Sequence, residues 1–234
     1  MITEEIVHIK GLPKKLIVFL HGYVHCAESV NHRISCLCDN LNDYAIHIPQ
    51  APQACEIHED KRQWYSMHRF DADDMRRQVP TIEECVAIYD KMTLGLQQAY
   101  DEVAPYIEQT LLEYGLNWSD VYLCGFSQGA MVALYTGMML PQQVRGVISF
   151  SGILAGKSHV CKHAESRPDT LLIHGNQDTY VRFEAQEYTR QQLKNLGCSV
   201  KTEIIDGGLH AISEEAQQAA VSFIKQQEKI RKTA

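Results

Sequence analysis

The sequence lacks long hydrophobic runs. The longest apolar run near its start, residues 16–20, is far shorter than the ~20 residues that a transmembrane helix needs. The first residues do not combine a basic segment with an apolar one, as a signal peptide would. We therefore expect a cytoplasmic protein without stable membrane insertion.

The sequence is also poor in positive charge. It has 22 Lys and Arg against 29 Asp and Glu, which gives a net charge of -7. Binding to nucleic acid needs a basic surface, so nucleic acid is not an expected partner. The hydrophobic content of 45% is that of a globular protein, which argues against disorder of the whole chain.

Ligand pairs at zinc-like spacing are missing as well. The eight cysteines stand in a long chain without secretion features, so free thiols are expected rather than a disulfide framework. Cys36 and Cys38 fall in a predicted helix, where they point in different directions. His159, Cys161 and His163 alternate and would share one face of an extended segment. Without a second ligand pair, no metal or other cofactor is expected, and a metal-dependent hydrolase stays a weak alternative.

No Gly-, Pro- or Ser-rich linker and no repeat divides the chain, so one domain over residues 1–234 is predicted. Short apolar runs typical of strands alternate with longer helical patterns. This alternation predicts an α/β fold with a mostly parallel sheet and helices on both faces. The predicted strands are 15–20, 44–48, 121–124, 144–149, 171–174 and 200–205. The predicted helices are 29–41, 81–114 with a break near Gly95 or Pro105, 128–140, 184–196 and 213–229.

A glycine–serine motif lies between a predicted strand and a predicted helix. Residues 125–129 read Gly-Phe-Ser-Gln-Gly and fit the G-x-S-x-G pattern. In this order the tight turn lifts the serine hydroxyl above the sheet as a nucleophile. Ser127 is therefore the predicted nucleophile. The alternative is an N-cap serine between two structural glycines.

A serine nucleophile needs a base and an acid that orients the base. In hydrolases with this turn, the acid and then the histidine follow the serine along the chain. His210 lies in a glycine-rich loop after the last predicted strand and is the predicted base. Asp178 follows the preceding strand and is the predicted acid, with Asp206 as the alternative.

The reaction also needs donors for an oxyanion. One expected donor is the backbone N–H of Gln128, directly after the serine. The other is the N–H of Tyr23, in the turn that follows the strand at 15–20. A single donor of this kind contributes roughly 10²–10³ in rate.

Residues 53–80 are mostly polar and predict a long irregular excursion. Long loops of this kind are often functional, so the segment is a candidate lid or pocket wall. Its large side chains are Trp64, Tyr65, Met67 and Phe70. They are expected either to line an acyl pocket or, equally, to anchor the loop on the core.

Several segments together resemble the phospholipase/carboxylesterase family of α/β hydrolases, which includes small bacterial serine esterases and acyl-protein thioesterases. The segments that carry the resemblance are 19–23, 48–52, 62–65, 123–135, 171–183 and 207–213. The resemblance implies an α/β-hydrolase fold and hydrolysis of carboxylic esters or thioesters of short to medium acyl chains. It implies Ser127, Asp178 and His210 as the catalytic triad and the N–H groups of Tyr23 and Gln128 as the oxyanion hole.

The resemblance also bears on partners. It implies a small ester or thioester, an S-acylated protein or a lysophospholipid as substrate, acted on by a monomer or homodimer. The alternative is a non-catalytic binding protein of the same fold. The family usually has Leu-Gly-Asp after His-Gly, whereas this chain has Tyr23-Val24-His25, and the bulky Tyr23 is expected to narrow the acyl entrance. The polar stretch 155–167 is a second departure.

Overall fold

The computed structural model describes residues 2–233, with side chains to residue 230. The strands are β1 (Glu5–Lys10), β2 (Lys15–Leu20), β3 (Tyr44–Pro49), β4 (Gln53–Cys55), β5 (His58–Gln63), β6 (Val121–Phe126), β7 (Gly146–Phe150), β8 (Asp169–Gly175) and β9 (Val200–Ile205). The α-helices are α1 (Ala27–Asn31), α2 (Ser35–Asn40), α3 (Met75–Gln78), α4 (Ile82–Asp90), α5 (Thr93–Tyr114), α6 (Gln128–Met139), α7 (Lys157–His163), α8 (Glu184–Asn195) and α9 (Glu214–Thr233). None of these helices is long and apolar enough to cross a bilayer.

Seven strands form the central sheet in the order β1-β3-β2-β6-β7-β8-β9. β1 pairs antiparallel with β3, and the remaining neighbours are parallel. The inner strands β2 and β6 are almost wholly buried, as expected for parallel strands that are covered on both faces. The predicted mostly parallel sheet is confirmed.

Buried side chains pack on both faces of this sheet. Along β2, Leu16, Val18 and Leu20 belong to one buried cluster, whereas Ile17 and Phe19 belong to the other. This alternation follows from the two-residue period of a strand. Residues of α5 and α6 join the first cluster, and residues of α1, α2 and α9 join the second. Helices therefore cover both faces, as predicted.

Several predicted boundaries were wrong. The predicted helix 29–41 is divided into α1 and α2. The long helix 81–114 is divided near Met92 into α4 and α5, three residues before Gly95, whereas Pro105 lies inside α5. Gly95 lies inside α5 and packs against the Tyr65 ring, where an added Cβ would come within 2.7 Å of a ring carbon. β1 was missed because only three of its six residues are apolar and four of the six are exposed at the sheet edge, so no continuous apolar run marks it.

The prediction of an irregular excursion over 53–80 was also wrong in part. It contains the antiparallel hairpin of β4 and β5 and the short helix α3. The β5 sequence His-Glu-Asp-Lys-Arg-Gln has no apolar alternation, and only its last residue is buried, so no strand pattern could be read. The polar stretch 155–167 likewise contains a helix, α7.

Candidate active site

Ser127 occupies a strained turn between β6 and α6. Its φ of 55 and ψ of -117 lie outside the regions that non-glycine residues favour, and its N–H donates to the Phe150 carbonyl at 2.9 Å. Two glycines make the turn possible. A Cβ on Gly125 would lie 2.3 Å from the Gly129 carbonyl oxygen, and one on Gly129 would lie 2.1 Å from the Leu20 carbonyl oxygen. The spacing of the motif is therefore required by close backbone contacts.

His210 connects Ser127 to Asp178. Its Nε2 lies 2.9 Å from the Ser127 Oγ, and its Nδ1 lies 2.6 Å from Asp178 Oδ2. Since a carboxylate accepts, Nδ1 carries the hydrogen and Nε2 accepts from the hydroxyl. The His210 side chain is 13% exposed, and the Asp178 side chain is fully buried. The three predicted residues thus form one hydrogen-bonded line.

Asp178 is held by four groups. Its Oδ1 accepts from the N–H groups of Tyr180 at 2.8 Å and Val181 at 3.0 Å. Its Oδ2 faces His210 and lies 3.4 Å from Nε2 of the buried His174. Burial raises the pKa of Asp178, but the hydrogen bonds from both histidines and the backbone lower it far more, so the net shift is downward. The carboxylate therefore stays ionised beside the imidazole.

The alternative acid, Asp206, is used elsewhere. Its Oδ1 accepts from the side-chain amide of Asn176 at 2.8 Å, and that amide's oxygen accepts from the N–H of Gly207. This network closes the turn after β9. The structure therefore brings Asp178, and not Asp206, to His210.

Both the backbone N–H and the side chain of Gln128 matter to this geometry. It is the first residue of α6, so its N–H is one of the helix amides without an intrahelical acceptor. Its buried side chain accepts from the Trp64 N–H at 3.0 Å and donates to the Tyr65 carbonyl at 2.8 Å, which fixes the loop after β5 to the helix. Tyr23 and Gln128 line the same cavity as Ser127.

A cavity of about 430 Å³ opens beside Ser127. Of the four predicted pocket residues, Met67 lies in its wall. Trp64 and Tyr65 are instead buried in the core, at 1% and 0% exposure, and Phe70 packs against the Tyr65 ring. For these three the anchoring interpretation, rather than the pocket interpretation, agrees with the structure.

The wall residues that were not predicted from the sequence include His25, Arg76, Tyr89, Met131 and Tyr180. They come from separate elements, so no local motif groups them. Tyr180 stacks on the imidazole of His210 with ring centroids 5.2 Å apart. The sequence offered one signal for Tyr180, which is its position two residues after the predicted acid Asp178.

The candidate metal ligands on α7 do not share a face as predicted. The segment is helical, so His159 and His163 are one turn apart and their rings lie 4.5 Å from each other. Cys161, two residues from each, is exposed in another direction. In the part of the chain that the structure describes, no group of three or more His, Cys, Asp or Glu is arranged to hold a metal ion.

The chain is similar to several known hydrolases. A probable carboxylesterase, SOBER1-like, of Arabidopsis thaliana is 32% identical over 115 residues, 48% of this chain and 44% of that protein. Acyl-protein thioesterase 1 of Debaryomyces hansenii is 23% identical over 225 residues, 90% of each chain. The crystal structure of esterase PE8 has a TM-score of 0.81 at 27% identity and covers 95% of this chain and 97% of its own. The chain spans about half the length of the plant carboxylesterases that it matches.

The family model described as Phospholipase/Carboxylesterase matches residues 2–228. The match includes the strained serine turn, the acid loop and the histidine loop, so the motifs that suggested the family lie within it. The structural neighbours have the same fold, a mostly parallel sheet covered by helices. The chain belongs to the phospholipase/carboxylesterase family of α/β hydrolases.

Proposed function

We propose that this protein is a serine hydrolase that cleaves carboxylic esters or thioesters through an acyl-enzyme intermediate. One observation carries the proposal: the hydrogen-bonded line of Ser127, His210 and Asp178 opens into a cavity. Family membership supports it, as do relatives named carboxylesterase and acyl-protein thioesterase.

In the first step, the Ser127 hydroxyl attacks the carbonyl carbon while its proton passes to His210 Nε2. Asp178 keeps the imidazole in the required tautomer and stabilises the imidazolium that forms. The tetrahedral intermediate then collapses, and the alcohol or thiol leaves with the proton from Nε2. Water repeats the sequence on the acyl-enzyme and releases the acid.

The negative oxygen of each tetrahedral intermediate needs donors that are already in place. The N–H of Gln128, at the start of α6, is one, and the positive end of the helix dipole adds to it. The N–H of Tyr23 is the second. Both residues line the cavity beside Ser127, which supports this assignment.

A non-catalytic binding protein of the same fold is the alternative. Such a protein has no need for a strained serine or for a buried carboxylate on the far side of an imidazole. Both features are present here, so the catalytic proposal is favoured.

The proposed substrates are small esters or thioesters of short to medium acyl chains, and the proposed compartment is the cytosol. Each of the eight cysteines is a free thiol, which supports a reducing environment. No metal or organic cofactor takes part in the proposed steps.

A fluorophosphonate probe tests the proposal. The wild-type protein should be labelled, and Ser127→Ala should not be, while Ser158→Ala on the exposed side of α7 should be labelled like the wild type. With a p-nitrophenyl ester, Ser127→Ala should lower kcat by ~10⁶. Labelling that persists in Ser127→Ala, a loss of only a few fold, or turnover abolished by a chelator would each contradict the proposal.

A further inference from the structure

The cavity beside Ser127 has a polar corner in an otherwise largely apolar wall. Met67, Met131 and Val181 supply apolar surface, whereas Arg76 from α3 and Tyr89 from α4 supply a guanidinium and a hydroxyl. Among the wall residues that the structure describes, Arg76 carries the permanent charge and no carboxylate is present. The proposed mechanism leaves this corner unused.

The guanidinium of Arg76 is held firmly in place. Its Nη1 lies 2.6 Å from Asp71 Oδ2, its Nη2 lies 2.7 Å from Asp74 Oδ1, and its side chain is 12% exposed. A guanidinium has five N–H donors, so two carboxylates leave donors for a ligand. The preorganised side chain therefore loses little freedom when it binds one.

Asp71 and Asp74 bring two negative charges to the one positive charge of Arg76, but neither carboxylate has Arg76 as its only partner. Asp71 also accepts from the N–H groups of Met75 at 2.7 Å and of Arg76 at 3.3 Å, so its charge is shared with the backbone. The Asp74 side chain is 52% exposed, and water screens it. The N–H donors of Arg76 that neither aspartate uses are therefore what this corner offers to an anion.

Tyr89 adds a donor beside the guanidinium. It is 2% exposed, and this burial raises the pKa of its hydroxyl well above the ordinary value, although neighbouring Arg76 opposes the shift. The hydroxyl therefore stays protonated and can donate. A neutral donor next to a cation matches the two oxygens of a carboxylate.

We infer that Arg76 and Tyr89 bind a carboxylate at the far end of the acyl group, so that monoesters or monothioesters of dicarboxylic acids are the preferred substrates. This inference rests on the proposed function. The acyl part stays on Ser127 until water releases it, whereas the alcohol or thiol must leave first, so a buried anchor suits the acyl part. An alkyl end in this corner would displace water from the donors without replacing its hydrogen bonds.

A matched substrate series tests the inference. Monomethyl esters of succinic to pimelic acid are compared with methyl esters in which an isopropyl group replaces the free carboxylate, and acid release is followed in a pH-stat. At the best chain length, kcat/KM of the wild type should be about tenfold or more higher for the carboxylate substrate.

Variants then assign the preference to this corner. Arg76→Met should remove the preference while the isopropyl series is still hydrolysed, and Tyr89→Phe should weaken it. Arg69→Met, an exposed arginine that contacts Phe70, should keep it. Since Arg76→Met leaves the buried Asp71 without its partner, the double variant Arg76→Met/Asp71→Asn is measured beside it and should give the same loss.

Different results would contradict the proposed serine hydrolase and the proposed carboxylate site. If the wild type hydrolyses neither p-nitrophenyl acetate nor any member of the series, the proposed function is wrong. If it hydrolyses p-nitrophenyl acetate but prefers the isopropyl substrate at every length, or if both Arg76 variants keep the carboxylate preference, the carboxylate site is wrong and the serine hydrolase stands.

Discussion

The Nδ1 of His25 lies 2.8 Å from the carbonyl oxygen of Tyr23. Since a carbonyl oxygen accepts, Nδ1 carries the hydrogen and donates it. Between the two residues, Val24 has a φ of 59, which a β-branched residue rarely adopts. The hydrogen bond spans this strained residue and so stabilises the turn that orients the Tyr23 N–H. His25 is therefore a positioning residue for the proposed oxyanion hole.

Replacing His25 should impair the transition state more than substrate binding. We expect His25→Leu to lower kcat by roughly 10–100-fold with little change in KM, because a misplaced donor loses part of the ~10²–10³ that one oxyanion donor provides. His25→Asn should recover part of kcat, since its side-chain N–H can donate to the same carbonyl. Steady-state kinetics on one ester would measure both. Equal losses in the two variants, or a change confined to KM, would show that the hydrogen bond does not act on the reaction.

His21, at the start of the same turn, should make the stability of the protein depend on pH. His21 is fully buried, donates from Nδ1 to the Gly22 carbonyl and accepts at Nε2 from the Ala51 N–H. Burial lowers its pKa from 6.5 to about 4. Between these values the unfolded chain takes up a proton that the folded chain does not, so stability falls as pH falls from about 6.5 to about 4. The full shift corresponds to about 3 kcal/mol.

A variant without a titrating group isolates this effect. His21→Gln keeps an acceptor for the Ala51 N–H, so the fold can form, but it cannot take up the proton. We expect its free energy of unfolding to decline less than that of the wild type between pH 7 and pH 4 in urea titrations. Parallel curves for the two proteins would mean that His21 does not remain neutral in the folded chain over this range.

The sequence predicted well those elements whose signal is local. β2 and β9 have the predicted bounds because each is a compact run of strand-forming residues. The order of serine, acid and histidine after successive strands predicted which side chains meet, since the carboxyl ends of parallel strands lie at one edge of the sheet. The sequence was therefore sufficient to predict that Ser127, Asp178 and His210 lie close together. Their catalytic roles stay predictions.

The residues of the cavity wall could not be predicted from the sequence, and the reason is physical. Arg76 belongs to a helix of four residues that begins after Asp74 in a left-handed conformation, and no periodic pattern marks such a segment. Trp64 and Tyr65 show the converse problem, because an aromatic loop anchor and an aromatic pocket wall have the same composition. Their burial and the contacts of Gln128 with their backbone show that the structure uses them as anchors.

The second glycine of the serine motif should be required for close packing rather than for its conformation. A Cβ on Gly129 would lie 2.1 Å from the Leu20 carbonyl oxygen and 2.4 Å from that of His21. We expect Gly129→Ala to push α6 away from β2, to lower the free energy of unfolding by about 3 kcal/mol, and to reduce kcat by displacing Ser127 from the Tyr23 turn.

Gly115→Ala is the matched control, because that glycine has a φ of 64 but nothing within 4 Å of an added Cβ. It should cost about 1 kcal/mol, from backbone strain alone, and leave kcat unchanged. Urea titrations and ester kinetics on both variants measure the contrast. If Gly129→Ala were as mild as Gly115→Ala, the contact between α6 and the end of β2 would not be what holds Ser127 in place.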